Sequence, residues 1–210
     1  LNGGLWMLDD LRRIFLLLTA SLWTAAGLYA IGYLAKAHLV RFGIFWGLTL
    51  AGNLGLIVSG DIASFYSFFA LMTFAAYGLV VHDGSPKAHR AGRIYLVMAV
   101  SGEMALLAGL ILSASAAQSG MLQDLPAAIA AAPERDLVVG LLIGGFGVKA
   151  GLPLLHFWLP LAHPVAPTPA SAVLSGAMIK AGLLGWLLTL PLAETPLPHW
   201  GTFMIMVGSI

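Results

Sequence analysis

The chain has 210 residues, 60% of them hydrophobic and only 9% charged, where ordinary soluble domains carry about 25% charged residues. Its formal net charge of +1 gives no electrostatic footing for a nucleic acid. Cysteine is absent, which excludes thiolate-held iron–sulfur clusters, cysteine zinc sites and disulfides from these residues.

A mean hydropathy of +0.93 specifies a protein whose solvent is the bilayer. With about 20 apolar residues needed per crossing, the sequence predicts an all-α membrane protein. It reads as a polytopic helical bundle of six full transmembrane helices plus a truncated seventh, with a broken helix near 149–153. Asp9 and Asp10 stand before the first span, 14–34, as capping or interface charges. The second span, 42–60, meets the third, 62–82, at the tight turn Ser59-Gly60-Asp61, where Asp61 reads as a helix cap. The fourth span covers 94–116, and the Ala-rich connection from Gln118 to Asp136 suits a short interfacial helix. The fifth, 137–158, carries glycines four apart, Gly140/Gly144 and Gly147/Gly151, a small-residue strip for close helix contact. After a Pro-rich reversal the sixth span, 168–190, opens on Thr168 as N-cap with Pro169 as first helical residue, and the seventh begins near 200. Trp6, Trp158 and Trp200 fall near span ends, where interfacial aromatics belong. The opening Leu1-Asn-Gly-Gly has no basic flank of the secretory kind, and the last residues are an apolar run, as in a segment of a longer polytopic protein.

Loop lysines and arginines set orientation. Lys36, Arg41, Lys87, Arg90 and Arg93 gather on one side. Arg12, Arg13 and Arg135 lie on the other, diluted by seven acids from Asp9 to Glu194. The bias places the loops 35–41, 83–93 and 159–167 in the cytoplasm of a bacterial inner membrane, with the N-terminus outside.

Three charges remain at membrane depth: Glu103, Lys149 and Lys180. A lysine at the bilayer centre costs about 2.5–3.5 kcal/mol by insertion scales, so it persists beside a partner, in a wet cavity, or for function. Lys180 lies too far inside its span to snorkel readily, and Lys149 is similarly deep. Glu103 is either a protonated acid bonded to a neighbouring helix or the partner of Lys149, in which case each protonation state biases the other. Pro153 should deprive the Lys149 carbonyl of its helical donor, and Gly151 loosens the same turn, so Lys149-Ala-Gly-Leu-Pro predicts a helix broken over a hydrated pocket. His156 follows seven residues after Lys149, on the same face if the helix resumes, and its chemistry suits a proton shuttle; a lone intramembrane histidine is equally often just hydrogen-bonded. His163 reads as a loop-structuring residue.

The stretch Gly147-Val-Lys-Ala-Gly-Leu-Pro-Leu-Leu-His-Phe-Trp-Leu-Pro, followed by Ala162-His-Pro-Val-Ala-Pro-Thr-Pro-Ala-Ser and Ser175-Gly-Ala-Met-Ile-Lys-Ala-Gly, resembles the antiporter-like membrane subunits. These occur in respiratory complex I, in multisubunit Mrp-type Na+/H+ antiporters and in membrane-bound hydrogenases such as formate hydrogenlyase. The resemblance implies a leading transmembrane helix over 1–36, the first five-helix inverted repeat over 37–192, and the start of the next helix over 193–210. It implies that Lys149 is the lysine of the broken helix and that Lys180 passes protons onward. One position departs from the pattern: Phe68-Phe-Ala-Leu-Met-Thr has Ala70 where the family usually carries a glutamate. Glu103 either replaces that acid from the next helix, or the subunit no longer pumps.

Three functions follow as alternatives. The first is a proton-translocating subunit, with exchange against Na+ left open, of a multisubunit respiratory, hydrogenase or Mrp-type complex; its relay would be Lys149, Lys180, Glu103 and His156, with the break at Gly151 and Pro153. The second is a transport-inactive scaffold. The third is a haem- or quinone-binding redox protein; bis-histidine haem ligation needs paired histidines at depth, yet His38, His89, His163 and His199 all fall in loops. The partners expected are other membrane subunits, lipid and protons. No cofactor, metal or independent enzymatic activity is expected of these residues.

Overall fold

The computed structural model describes residues 5–34 and 39–209; Lys36 and His38 in the first loop lie outside them. Helix α1 (Asp10–Tyr33) starts where the Asp9 carboxylate accepts from the Arg12 amide at 2.8 Å. Arg12, grouped with the loop charges by its position in sequence, is buried. Its guanidinium pairs with Asp9 and donates to the Ser59 carbonyl at 3.1 Å, pinning the start of α1 to the next turn.

Helices α2 (Leu39–Val58) and α3 (Ile62–Val80) pack along each other across the expected tight turn. Backbone bonds knit that turn to the N-terminal segment and to the distant 120s: Met7 N–H to the Val58 carbonyl at 2.8 Å, and Leu122 N–H to the Gly60 carbonyl at 3.0 Å. Asp61 caps α3, accepting from the amides of Ser64 at 2.8 Å and Leu5 at 3.1 Å. Partial burial works to raise its pKa, but the donors of Ser64, Leu5 and Ala63 outweigh burial and hold it below its ordinary value. The cap therefore acts at neutral pH and is lost only as pH falls through that lowered value.

Helix α4 (Pro86–Ala117) begins well before the apolar run at 94, because Ser85 caps the Ala88 amide at 3.1 Å and proline occupies the first turn. The charged first turns hide this start from hydropathy. Thirty-two residues rise about 48 Å, more than the ~30 Å hydrocarbon core, so α4 projects into a headgroup layer. The connection after it contains the expected short helix, α5 (Leu125–Ala131).

The predicted fifth span is not continuous to 158. Helix α6 (Arg135–Ala150) stops at the break, coil follows, and α7 (Trp158–Ala162) resumes. Then come α8 (Thr168–Val173), a π turn over Leu174–Met178, α9 (Ile179–Thr189) and α10 (Pro198–Gly208). Pro167, which carries no capping side chain, and not Thr168, occupies the N-cap of α8. Among the described residues five helices are long and apolar enough to cross a membrane: α1, α2, α3, α4 and the continuous run Thr168–Thr189.

The core joins α3, α4, α6 and α9, with Phe65, Phe69, Leu106 and Phe146 buried at its centre. Close approach of α6 to α4 rests on glycines other than those of the predicted strip. A Cβ on Gly145 would lie 2.7 Å from the Leu106 backbone nitrogen, and one on Gly102 2.8 Å from Val148. Gly144 meets nothing within 4 Å, Gly140 faces Trp200, and Gly147 faces Leu152 of its own break. Four-residue spacing identifies a helix face; it does not say which neighbour that face meets.

Candidate functional site

The helix break is local chemistry. Gly151, at φ +76, closes α6 by donating to the Gly147 carbonyl. Leu155 N–H then bonds the Leu152 carbonyl at 2.8 Å, with Pro153 second in that turn and Leu154 third at φ +72. Positive φ at the third position belongs to a type II turn, and proline suits its second. The helix has already ended before Pro153 could disturb the Lys149 carbonyl. The freed group that finds a side-chain partner is the Val148 carbonyl, which accepts from the Trp158 indole at 2.8 Å. Trp158, expected at the interface, is 1% exposed.

Lys149 sits in the last turn of α6 and is 4% exposed. Its Nζ donates to the Tyr95 hydroxyl at 3.2 Å, and that hydroxyl donates to the Thr73 carbonyl at 2.8 Å. Nζ also lies 5.3 Å from the centroid of the Tyr95 ring and 5.7 Å from that of Phe69, within cation–π range. The Tyr95 ring meets Trp158 edge-on at 5.2 Å. One tryptophan thus braces both the carbonyl next to Lys149 and the tyrosine that holds its amine.

Glu103, 5% exposed, lines the same small cavity as Lys149, Tyr95, Phe69 and Trp158. The space open to a water centre is about 10 Å³, close to the lower limit for one water. Tyr95, Ala99 and Glu103 recur every fourth residue, so α4 presents all three on one face. The Glu103 carboxyl interacts with the Thr73 side chain and feels the Lys149 charge, but the acid and amine are not in direct ion-pair contact. Its Oε1 has no hydrogen-bond partner among the described residues, a costly condition for a buried polar atom unless water supplies one. Tyr66, Ala70 and Thr73 share one face of α3; the Glu103 charge reaches Tyr66, and its carboxyl interacts with the Thr73 side chain. The face bearing Ala70 is therefore the one the α4 acid approaches.

The other expected relay residues stand apart from this cavity. Lys180 is half-buried on α9 and donates to the Ser175 carbonyl, within the π turn, at 3.0 Å. Helix α9 packs tightly on α6, since a Cβ on Gly182 would lie 2.7 Å from the Phe146 carbonyl. His156 lies in coil, stacked on Phe157 at 5.4 Å, and its buried Nδ1 has no partner among the described residues. Because no helix resumes before Trp158, the shared-face relation to Lys149 does not apply. His163 bonds Ser171 at 2.6 Å, tying the reversal to α8, and burial lowers its basicity. The residues that sequence reasoning missed are Tyr95, Thr73 and Trp158. Tyr95 had a readable signal, a polar-tipped aromatic two turns before an intramembrane acid; Thr73 and Trp158 had none.

The family model described as NADH:quinone oxidoreductase/Mrp antiporter, TM, matches residues 59–210. The chain is 36% identical over 211 residues to an uncharacterized protein of Mycobacterium tuberculosis, covering 99% of this chain and 33% of that protein. It is 31% identical over 211 residues to hydrogenase-4 component B of Escherichia coli, covering 97% of this chain and 31% of that one. It thus spans about a third of the length of these relatives. Its fold matches a chain of the membrane-bound sulfane sulfur reductase, an archaeal respiratory membrane complex, with TM-score 0.78 at 22% identity, over 93% of this chain and 40% of that one. The chain is an integral membrane segment and belongs to the NADH:quinone oxidoreductase/Mrp antiporter transmembrane family.

Proposed function

We propose that this chain is the part of a proton-translocating subunit that holds a transferable proton on Lys149, under the control of Glu103, within a multisubunit membrane complex. The observation that carries the proposal is the placing of a buried amine and a buried acid on one water-sized cavity without direct contact. Two unit charges at 4 Å interact by about 4 kcal/mol at an effective dielectric of 20, and less as they separate. A pair held just apart is therefore open to switching by small helix movements. Lys180, on the helix packed against α6, is the onward acceptor, and His156 serves the side of the reversal. Exchange of Na+ for protons is compatible with the same residues. The family and the E. coli relative support a respiratory, hydrogenase or Mrp-type setting with membrane partner subunits. The start of α4 and the 159–167 reversal border one groove, which supports placing both on one side of the membrane; the cations in the first turns of α4 favour the cytoplasmic side of a bacterial inner membrane. Ala70 favours the scaffold reading, and the reach of the Glu103 charge to Tyr66 on that same face of α3 favours the relay.

The test is proton flux in proteoliposomes carrying the full-length protein in its complex. Glu103→Gln keeps the shape and removes the charge; flux should fall by about tenfold, the effect of about 1.4 kcal/mol on a rate-limiting transfer. Wild-type flux in that variant would end the proposal. Tyr95→Phe keeps both ring contacts but removes the hydroxyl that links Lys149 to Thr73. A lost hydrogen bond worth about 1 kcal/mol should slow flux about fivefold while the yield of assembled complex, read by size-exclusion chromatography, stays unchanged.

A further inference from the structure

Outside the relay, one groove combines charge with apolar depth. It has a volume of about 340 Å³ and lies between the start of α4 and the segment running from α7 to Val165. Lys87 and Arg90 stand at its α4 side, three residues apart and so on one helix face. Both are exposed, and neither makes an ion pair or side-chain hydrogen bond with a described residue. The next turn of α4 contributes Ile94, and the opposite wall is Pro160, Leu161, Pro164 and Val165. Since α4 outruns the hydrocarbon core, Lys87 and Arg90 stand at headgroup height and Ile94 lies where hydrocarbon begins.

We propose that this groove is a binding site for an anionic phospholipid with a phosphoglycerol headgroup. The phosphate sits on Lys87 and Arg90, and an acyl chain runs past Ile94, Leu161 and Val165. Unpaired cations between transmembrane elements at the membrane surface attract such headgroups, and the apolar walls below match what the headgroup carries. The far wall continues directly from Trp158, which holds the Val148 carbonyl beside Lys149. A lipid in the groove therefore braces α7 against α4.

The full-length protein in its complex, exchanged into nanodiscs of phosphatidylcholine with graded phosphatidylglycerol, provides the test by native mass spectrometry. Wild type should retain one phosphatidylglycerol that the double variant Lys87→Ala/Arg90→Ala loses, with retention weakened about tenfold. Arg93→Ala, exposed but outside the groove, should retain it. Ile94→Trp, which fills the apolar end, should also lose it while the complex stays assembled. Equal retention by the double variant overturns the proposal, as does equal retention of phosphatidylcholine. Displacement by inorganic phosphate alone would reduce the site to a plain anion site, and a neighbouring subunit filling the groove would make it a protein interface; either result overturns the lipid.

Discussion

Lys149→Met should leave the complex assembled and reduce proton flux by about a hundredfold, the lower end of the range for loss of a positioned proton-transfer group. The two halves of that result separate function from architecture. A buried lysine costs about 2.5–3.5 kcal/mol to insert, and methionine of similar length carries no such cost and leaves no large void. The Tyr95 hydroxyl keeps its bond to the Thr73 carbonyl at 2.8 Å, so no donor is orphaned. The losses are a 3.2 Å hydrogen bond and the cation–π contacts with Tyr95 and Phe69, which together do not exceed the insertion cost saved. A structural lysine would instead be missed in assembly. Thermal stability followed by size-exclusion chromatography, beside dye-reported proton flux in proteoliposomes, reads both quantities. Unchanged flux removes the amine from the mechanism, and collapse of the complex makes it a packing residue.

The second large effect is steric. Gly145→Ala should destabilise the protein by about 2–3 kcal/mol, whereas Gly144→Ala, one residue away, should be neutral or stabilise by up to about 1 kcal/mol. At 145 the added methyl would sit 2.7 Å from a backbone nitrogen and 2.8 Å from the Cα of Leu106, neither of which can rotate aside. Helices α4 and α6 must then separate, and with them Glu103 and Lys149, so flux should fall along with stability. At 144 there is nothing within 4 Å, and alanine only gains helix propensity. Equal melting temperatures for the two variants would show that α4 and α6 are not packed as described.

Much of this arrangement was legible from residue order. The apolar runs located five of the six full spans, and Glu103, Lys149 and Lys180 were conspicuous because charge is costly in hydrocarbon. Gly151 and Pro153 announced the break, although the carbonyl that finds a partner is that of Val148. Other features were hidden for identifiable reasons. The start of α4 was masked by its own cations, and Arg12 looked like a loop charge because its partners, Asp9 and the Ser59 carbonyl, come together only when α1 meets the next turn.

Sequence by itself determined the solvent of this protein, the order of its apolar runs, and which charges had to be compensated, because hydropathy and insertion cost are sums over neighbouring residues. Only the tertiary structure decided that Glu103 and Lys149 share a cavity, that Tyr95 and not the acid holds the amine, and that Gly145 is where α6 meets the α4 backbone. Those facts depend on how helices far apart in sequence are rotated against one another, and helical periodicity names a face without naming its partner.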